Sequence, residues 1–147
     1  MNNPRQTENP IDSFYPSNYL KPWSGMPTRD KFCIQFIKGI GQCLISKVTF
    51  KPGDLVFVFS GQITNQLTLR SLKLSEHLNV HDPYFMGYVS HSCRPNCTVN
   101  MRTLTFHCIE PIKAKDQITM DYNQTETSLH QWFQCRCGNA NCRGIIR

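Results

Sequence analysis

The end of the chain carries three cysteines within eight positions, Cys135, Cys137 and Cys142. Thiols this close together are rarely placed for packing alone, and they make up three quarters of a zinc site. A closed structural Zn²⁺ site is tetrahedral and takes four Cys or His ligands. The tail therefore cannot complete the site by itself, and a distant segment must fold back to supply the fourth ligand.

Length and composition favour one folded domain. With 147 residues, of which 39% are hydrophobic and 11% aromatic, the chain can bury one sizeable core. No apolar run approaches the roughly 20 residues that span a bilayer, and the first residues show no hydrophobic stretch of signal-peptide type. We therefore expect an intracellular protein, cytoplasmic or nuclear depending on the host, with no membrane partner.

The cysteine count and the charge narrow the class of protein further. Eight cysteines would permit a disulfide framework in a secreted domain, but metal ligation is the better interpretation for an intracellular one. The formal net charge is +6, and four thiolates with one Zn²⁺ contribute −2, which leaves about +4. Because the basic residues are scattered, nucleic acid is not a required partner, although an anionic cofactor or a weak nucleic-acid contact is permitted.

The first 30 residues differ in character from the rest. They carry five prolines among polar residues and no sustained periodicity, which predicts an irregular or partly disordered arm. Its aromatic residues are expected to anchor it on the domain surface by packing. These aromatic residues are Phe14, Tyr15, Tyr19 and Trp23.

From Lys31 onward, short stretches rich in aromatic and β-branched residues alternate with turn signals, which indicates a mainly β fold. The predicted strands are Phe32 to Ile37, Gln42 to Ile45, Leu55 to Phe59, Thr98 to Met101, Thr103 to Ile109 and Gln117 to Met120. Residues 100–103 predict a hairpin. The leucines of residues 66–78 partly fit a helical period and partly the alternation of a strand. We expect a short helix near 65–70 followed by a strand.

A second cluster of metal-ligating residue types reads Ser-His-Ser-Cys-Arg-Pro-Asn-Cys over residues 90–97. It is small, polar and turn-prone, and it offers thiols and a histidine at once. On spacing alone it is one of several sources of the fourth zinc ligand. The candidates are His91, Cys93, Cys97, Cys33, Cys43, Cys108 and the other histidines.

Four motifs in this order resemble the SET-domain lysine methyltransferase family. His91 to Asn96 is similar to the family signature Asn-His-Ser-Cys-x-Pro-Asn, Gly39-Ile40-Gly41 fits its early Gly-x-Gly, and Asp121-Tyr122 resembles the Asp-Tyr that ends its core. The tail pattern Cys-x-Cys-x₄-Cys-Arg-Gly matches the post-SET zinc motif. The resemblance covers residues of about 31 to 147.

This resemblance implies the fold and the domain organisation. The expected fold is a mainly β SET domain, β-clip-like, with a knot-like crossing, short helices and a C-terminal zinc-bound segment. We expect an irregular arm over residues 1–30, a SET domain over 31–123 and a post-SET zinc segment over 124–147. Cys33, Cys43, Cys97 and Cys108 are then expected to be small buried hydrophobic residues.

The resemblance also implies the ligands and the residues that hold them. Structural Zn²⁺ would be bound by Cys93, Cys135, Cys137 and Cys142. S-adenosylmethionine would be bound by Gly39, Ile40, Gly41, Ser90, His91, Trp132 and Phe133. Tyr122 would be the catalytic residue. Candidates for the wall of the substrate channel are Phe59, Tyr84, Phe85 and Tyr88.

The implied activity is methyl transfer to the ε-amine of a lysine in a protein or peptide, with a histone as one candidate substrate. The reaction needs a neutral amine aimed at the methyl carbon. Free lysine has a pKa of about 10.4, and burial beside a cationic cofactor lowers it. Tyr122 can therefore orient the reacting groups without acting as a strong base. The expected protein is a monomer or a weak homodimer.

Three departures from the family pattern keep alternatives open. Ser90 replaces the usual asparagine and loses an amide donor, so we expect weaker cofactor binding than in an asparagine-bearing relative. Asp116-Gln117 stands where two glutamates are frequent, and the segment from Gly61 to Tyr84 is short. The alternatives are a zinc-stapled, catalytically inactive interaction module, and a methyltransferase for a non-lysine or small-molecule nucleophile.

Overall fold

The computed structural model describes residues 12–16 and 21–147, and this part of the chain is mainly β. Residues 1–11 and 17–20, including Tyr19, lie outside the described residues. The strands are β1 (Phe32–Ile37), β2 (Gly41–Ser46), β3 (Leu55–Val58), β4 (Gln62–Thr64), β5 (Ser71–Lys73), β6 (Asn79–His81), β7 (Ser90–His91), β8 (Cys97–Asn100), β9 (Thr105–Cys108), β10 (Thr119–Met120), β11 (Phe133–Gln134) and β12 (Ile145–Ile146). Short 3-10 helices span Met86–Tyr88 and Tyr122–Gln124. Within the described ranges no helix is both long and apolar enough to cross a membrane.

The strands pair into small sheets, most of them antiparallel. β1 pairs with β2, β11 with β12, and two three-stranded sheets have the orders β3-β9-β8 and β4-β6-β5. β7 and β10 pair in parallel, with Ser90 opposite Thr119 and His91 opposite Met120. Because parallel strands run in the same direction, the residues that follow β7 come to lie beside the residues that follow β10. This pairing brings two distant parts of the sequence into one site.

Most of the predicted strands are confirmed, with boundaries shifted by up to about two residues. The prediction for β1 matches its observed bounds, and β8 and β9 form the expected hairpin, with Asn100 opposite Thr105. The pattern is readable because these strands alternate buried and exposed residues or carry aromatic and β-branched side chains.

The helix predicted near residues 65–70 is wrong. Those residues form bends and a turn, and the predicted strand then follows as β5. Side chains occupy the backbone groups that a helix would use: the Thr68 hydroxyl accepts from the Arg70 N–H at 3.1 Å, and the Ser71 hydroxyl accepts from the Thr68 N–H at 2.9 Å. Such local bonds compete with helical ones.

The core is built largely from phenylalanine rings. Phe57 and Phe85 meet edge to face with centroids 4.7 Å apart, and Phe32 contacts Phe85 at 5.2 Å. Ring pairs of this kind add to the free energy gained by burying their apolar area. Cys97 and Cys108 lie opposite each other on β8 and β9 and are almost completely buried.

The other two cysteines predicted to be buried differ from each other. Cys43 on β2 is fully buried, whereas Cys33 on β1 is only half-buried. Three of the four cysteines assigned to packing therefore fill the interior. The prediction for Cys33 was too strong, because the part of β1 that carries it packs on one face only.

The described part of the N-terminal arm is anchored by aromatic side chains, as expected. Phe14 packs on Phe85 with centroids 4.8 Å apart, and Tyr15 donates its hydroxyl to the carboxylate of Asp82 at 2.5 Å. Asp82 has no exposed surface and also accepts the backbone N–H groups of residues 84, 85 and 86. Burial raises the pKa of Asp82, although these hydrogen bonds oppose the change. Asp82 thus fixes the turn that precedes Met86.

We expect Asp82→Ala to lower the free energy of unfolding by about 3 kcal/mol or more, because the Tyr15 hydroxyl and the N–H groups of residues 84, 85 and 86 lose this acceptor, and each such loss at a buried group costs about 1–3 kcal/mol. Urea denaturation at neutral pH measures the change. Glu76→Ala removes an exposed carboxylate and is expected to stay within about 0.5 kcal/mol of wild type. Equal stability of the two variants would contradict the role of Asp82.

Candidate functional site

A cleft with a volume of about 680 Å³ lies where β7 and β10 end. Its lining comes from four parts of the chain that are far apart in sequence. These parts are residues 39–42, residues 67–72, residues 86–96 in part, and residues 116–137 in part. The cleft is therefore a product of long-range folding and includes the motif residues around His91 and Tyr122.

Tyr122 follows β10 and lines this cleft. Its hydroxyl donates to the backbone carbonyl of Val89 at 2.7 Å, and its backbone N–H donates to Nδ1 of His91 at 3.0 Å. Burial raises the pKa of Tyr122 to about 12. The phenol therefore keeps its proton at neutral pH and is available as a hydrogen-bonding group.

His91 connects Tyr122 to the cysteines. Because Nδ1 accepts the Tyr122 N–H, the proton of the neutral ring belongs on Nε2, which lies 3.4 Å from Sγ of Cys93. Burial lowers the pKa of His91, with Arg143 adding to the effect and Asp121 opposing it. The His91 side chain is 1% exposed. The imidazole is thus a fixed, neutral bridge between the cysteine cluster and the cleft.

Asp121, the residue before Tyr122, binds Arg143 in the C-terminal segment. Asp121 makes two hydrogen bonds to the guanidinium of Arg143, at 2.9 and 2.6 Å. Burial works to raise the pKa of Asp121, but the bonds from Arg143 and from the Asn123 N–H outweigh it and hold the pKa below its usual value. Asp121 is accordingly a charged structural carboxylate.

Asn96 fixes the second segment of the signature. Its amide donates to the Gln117 carbonyl at 2.8 Å and its amide oxygen accepts from the Thr119 N–H at 2.9 Å. The Asn96 N–H in turn donates to the Thr119 hydroxyl at 3.0 Å. An asparagine supplies both a donor and an acceptor to a neighbouring backbone, so this residue holds residues 91–97 against the strand that leads to Tyr122.

The structure brings Cys93 together with the three tail cysteines. The sulfur atoms of Cys93, Cys135, Cys137 and Cys142 all lie within 4.8 Å of one another, and those of Cys93 and Cys135 are 3.9 Å apart. Four thiolates around Zn²⁺ with bonds of about 2.3 Å place their sulfur atoms about 3.8 Å apart, so the donor set and its spacing fit zinc. Of the candidates that cysteine spacing left open, the structure groups Cys93 with the tail cysteines, and its role as a zinc ligand stays a prediction.

Six of the seven residues predicted to bind the cofactor line the cleft. They are Gly39, Ile40, Gly41, Ser90, His91 and Phe133. Trp132 does not: it is 59% exposed, and the Arg147 guanidinium lies 4.9 Å from its ring. The backbone N–H of Ser90 is already bonded to the Ile118 carbonyl at 3.2 Å.

The turn between β1 and β2 requires its glycines for backbone reasons. Gly39 and Gly41 have φ values of +87° and +108°, which side chains rarely adopt. No atom lies within 4 Å of the positions that Cβ atoms would occupy. The turn therefore leaves open space along the cleft, as a site for a ligand close to the backbone requires.

The four residues predicted for the channel wall do not line this cleft, and their place in a substrate channel stays a prediction. Phe59 and Phe85 are 1% and 0% exposed because the aromatic core encloses them. Tyr84 is 36% exposed and packs against Tyr15 with centroids 6.0 Å apart. Tyr88 lies under the guanidinium of Arg70 at 4.2 Å.

Other cleft residues were missed by sequence reasoning. They include Arg70, Leu72, Met86, Gly87 and Glu126. Glu126 is nearly buried and accepts the Lys73 N–H at 2.7 Å, which ties the segment after Tyr122 to β5. None of these residues belongs to a sequence motif. The aromatic segment 84–88, which contains Met86 and Gly87, was the part of the sequence that came nearest to indicating them.

The comparisons with known proteins agree with the family resemblance of the sequence motifs. The SET domain family model matches residues 41–123. The chain is 32% identical over 141 residues to "Methyltransferase flvH" of Aspergillus flavus, covering 88% of this chain and 75% of that protein. It is 34% identical over 77 residues to "Histone-lysine N-methyltransferase Su(var)3-9" of Drosophila pseudoobscura pseudoobscura, but covers 12% of that protein.

Solved structures share the fold. The chain matches KRYPTONITE in complex with mCHG DNA and SAH with a TM-score of 0.65 and 19% identity, over 76% of this chain and 28% of that one. A second KRYPTONITE structure, with mCHH DNA, an H3(1-15) peptide and SAH, gives a TM-score of 0.65 and 18% identity, over 78% and 29% of the two chains. The chain thus spans less than a third of these proteins.

We expect purified wild-type protein to contain about one Zn²⁺ per chain and Cys93→Ala to lose it, because three remaining thiols cannot close a tetrahedral site. Inductively coupled plasma mass spectrometry measures the metal content. Cys33→Ala is the matched control, since Cys33 lies on β1 outside the cluster, and it should keep its zinc. Full zinc occupancy in Cys93→Ala would contradict the assignment of the fourth ligand.

Proposed function

Because the chain belongs to the SET domain family, we propose that it is an S-adenosylmethionine-dependent methyltransferase acting on the ε-amine of a lysine in a protein or peptide. The observation that carries this proposal is the cleft in which the protonated Tyr122 hydroxyl lies with the open Gly39 to Gly41 turn. Relatives named as histone-lysine N-methyltransferases support the lysine substrate. The SAH in the matched KRYPTONITE structures supports the cofactor.

The chain's own residues would hold the cofactor and orient the substrate. When bound, S-adenosylmethionine supplies a methyl group already activated by a sulfonium. The Gly39 to Gly41 turn offers close backbone approach, and His91 and Phe133 contribute the wall beside Tyr122. These groups exclude water and limit the directions from which an amine can approach, which is the main requirement of an in-line displacement.

Tyr122 would position the amine and not deprotonate it. Its hydroxyl hydrogen is committed to the Val89 carbonyl, so the oxygen lone pairs remain to accept a hydrogen bond from an amine in the cleft. With a pKa raised to about 12, the hydroxyl stays protonated throughout the physiological range. The amine must therefore lose its proton to solvent before or during entry, a step favoured by burial of the amine.

The cysteine cluster would have a structural role. Four thiolates saturate the tetrahedral coordination of Zn²⁺ and leave no open position for a substrate or water, unlike a catalytic site. Its function is to hold the tail, and with it Phe133, against the segment of Cys93. Residues 124–147 then act as one zinc-bound segment that completes the cleft.

A second candidate keeps the reaction and changes the nucleophile. The relative that shares most of its length with this chain is named only as a methyltransferase, and its name specifies no histone or lysine. Methylation of a small-molecule amine is therefore the second candidate. In both candidates Tyr122 would accept a hydrogen bond from the amine. They differ in the rest of the substrate that the cleft must accommodate, a peptide chain or a small molecule.

We expect mass spectrometry of a histone, lysine-peptide and small-amine panel incubated with S-adenosylmethionine to show added methyl groups. Tyr122→Phe should lower kcat on the order of a hundredfold or more, the loss typical of a well-placed hydrogen bond in a transition state, while its zinc content stays unchanged. Tyr84→Phe is the matched control, because Tyr84 lies outside the cleft lining, and its rate should resemble wild type.

Two results would overturn these assignments. Wild-type activity in Tyr122→Phe would remove that tyrosine from the mechanism. A wild-type protein that methylates no member of the panel and binds no S-adenosylmethionine would favour the inactive interaction module instead.

A further inference from the structure

Arg70 is held rigidly at the cleft, in the turn before β5. Its Nη1 donates to the Gly87 carbonyl at 2.7 Å, and its guanidinium carbon lies 4.2 Å from the centre of the Tyr88 ring. A Cβ added at Gly87 would come within 2.7 Å of Cβ and Cδ of Arg70, so the aliphatic part of Arg70 lies directly on the Gly87 backbone. Three contacts therefore fix one side chain.

This guanidinium has no counter-ion in the described part of the chain. The ion pairs found there are Arg29 with Asp12 and Arg143 with Asp121. A guanidinium carries five N–H donors, and the side-chain hydrogen bond to Gly87 uses one of them. Arg70 thus presents a preorganised, uncompensated cation with donors to spare.

Arg70 and Tyr122 lie at the same end of the cleft. The Tyr122 hydroxyl donates to the Val89 carbonyl, and the Arg70 guanidinium donates to the Gly87 carbonyl. The two acceptors are only two residues apart in the same segment. The charge of Arg70 acts on the Tyr122 phenol and opposes the effect of burial on its pKa. The cation is therefore close enough to act on any group that binds beside the tyrosine.

A cation in this place is unfavourable for an amine substrate taken alone. The amine arrives as an ammonium ion, the cofactor carries a sulfonium, and Arg70 adds a further positive charge, so like charges meet in a partly buried site. A carboxylate on the substrate would neutralise Arg70 and match its planar fork with two parallel hydrogen bonds. The net positive charge of the chain, formally +6 and about +4 with zinc bound by four thiolates, favours the same kind of substrate at long range.

We propose that Arg70 determines substrate specificity by binding a carboxylate that the substrate carries near the methylated amine, an inference that rests on the proposed methyltransferase function. The carboxylate comes either from an acidic side chain that flanks a target lysine or from the free carboxylate of a small amine. Both sources share the chemistry that the guanidinium recognises. The contacts to Gly87 and Tyr88 alone would serve a structural role, but the remaining donors have no hydrogen-bond acceptor among the described residues.

The test compares pairs of substrates that differ only in this group. One arm uses lysine peptides with glutamate or glutamine at each position flanking the lysine, and the other uses Nα-acetyl-lysine and its carboxamide. For wild type we expect kcat/KM to be about tenfold to a hundredfold higher for the carboxylate member of at least one pair, which corresponds to one charged hydrogen bond. The arm that shows the preference identifies the source of the carboxylate.

Variants separate recognition from folding. Arg70→Gln should lose the preference, and Arg70→Glu should reverse it, a gain that loss of structure cannot produce. Arg102→Gln removes the same charge at an exposed site in the β8–β9 turn and should keep the preference. Thermal unfolding and zinc content show whether the variants fold.

The possible outcomes test the role of Arg70 and the methyltransferase proposal separately. Equal kcat/KM for both members of every pair in wild type, or a preference retained in Arg70→Gln, would overturn the role of Arg70 and leave the methyltransferase proposal standing. Equal wild-type ratios overturn the inference even if a variant fails to fold, and a wild-type preference is assigned to Arg70 by its reversal in Arg70→Glu. Wild-type protein that methylates no member of either pair would contradict the proposed function and this inference together.

Discussion

The geometry of the cleft depends on one imidazole that has a partner on each nitrogen. His91 accepts the backbone N–H of Tyr122 on Nδ1 and turns Nε2 toward Sγ of Cys93. Burial lowers the pKa of His91, and a neutral ring has one donor and one acceptor nitrogen, as these two neighbours require. The parallel pairing of β7 with β10 and the hydrogen bonds of Asn96 to Gln117 and Thr119 hold the ring in place.

The cysteine cluster extends this arrangement to the end of the chain. Cys93 is two residues from His91, so a metal ion held by Cys93 and the tail cysteines also fixes the tail beside the cleft. The bonds between Asp121 and Arg143 join the same two segments a second time. A small domain with short strands has a limited core, and these links stabilise the wall that Phe133 contributes.

Local periodicity predicted most of the strands, and the motifs predicted that Cys93 joins the three tail cysteines. Neither predicted the end of the cleft at Arg70. The four cysteines, Gly39 to Gly41, His91 and Tyr122 have side chains or backbone requirements that a motif reveals. Phe59 and Phe85 were assigned to a channel on their aromatic character, which says nothing about the direction a side chain takes, and both are in the core. Arg70 could not be found because its place depends on Gly87 and Tyr88, which approach it only through tertiary folding.

A crystal structure of the protein with zinc and S-adenosylhomocysteine tests the central claim most directly. The account predicts one metal ion bound by the four cysteines, with the adenosyl group between the Gly39 to Gly41 turn and Phe133 and the sulfur facing the Tyr122 hydroxyl. His91 should keep its bonds to both neighbours. Disulfides among the four cysteines, or a ligand bound away from Tyr122, would contradict it.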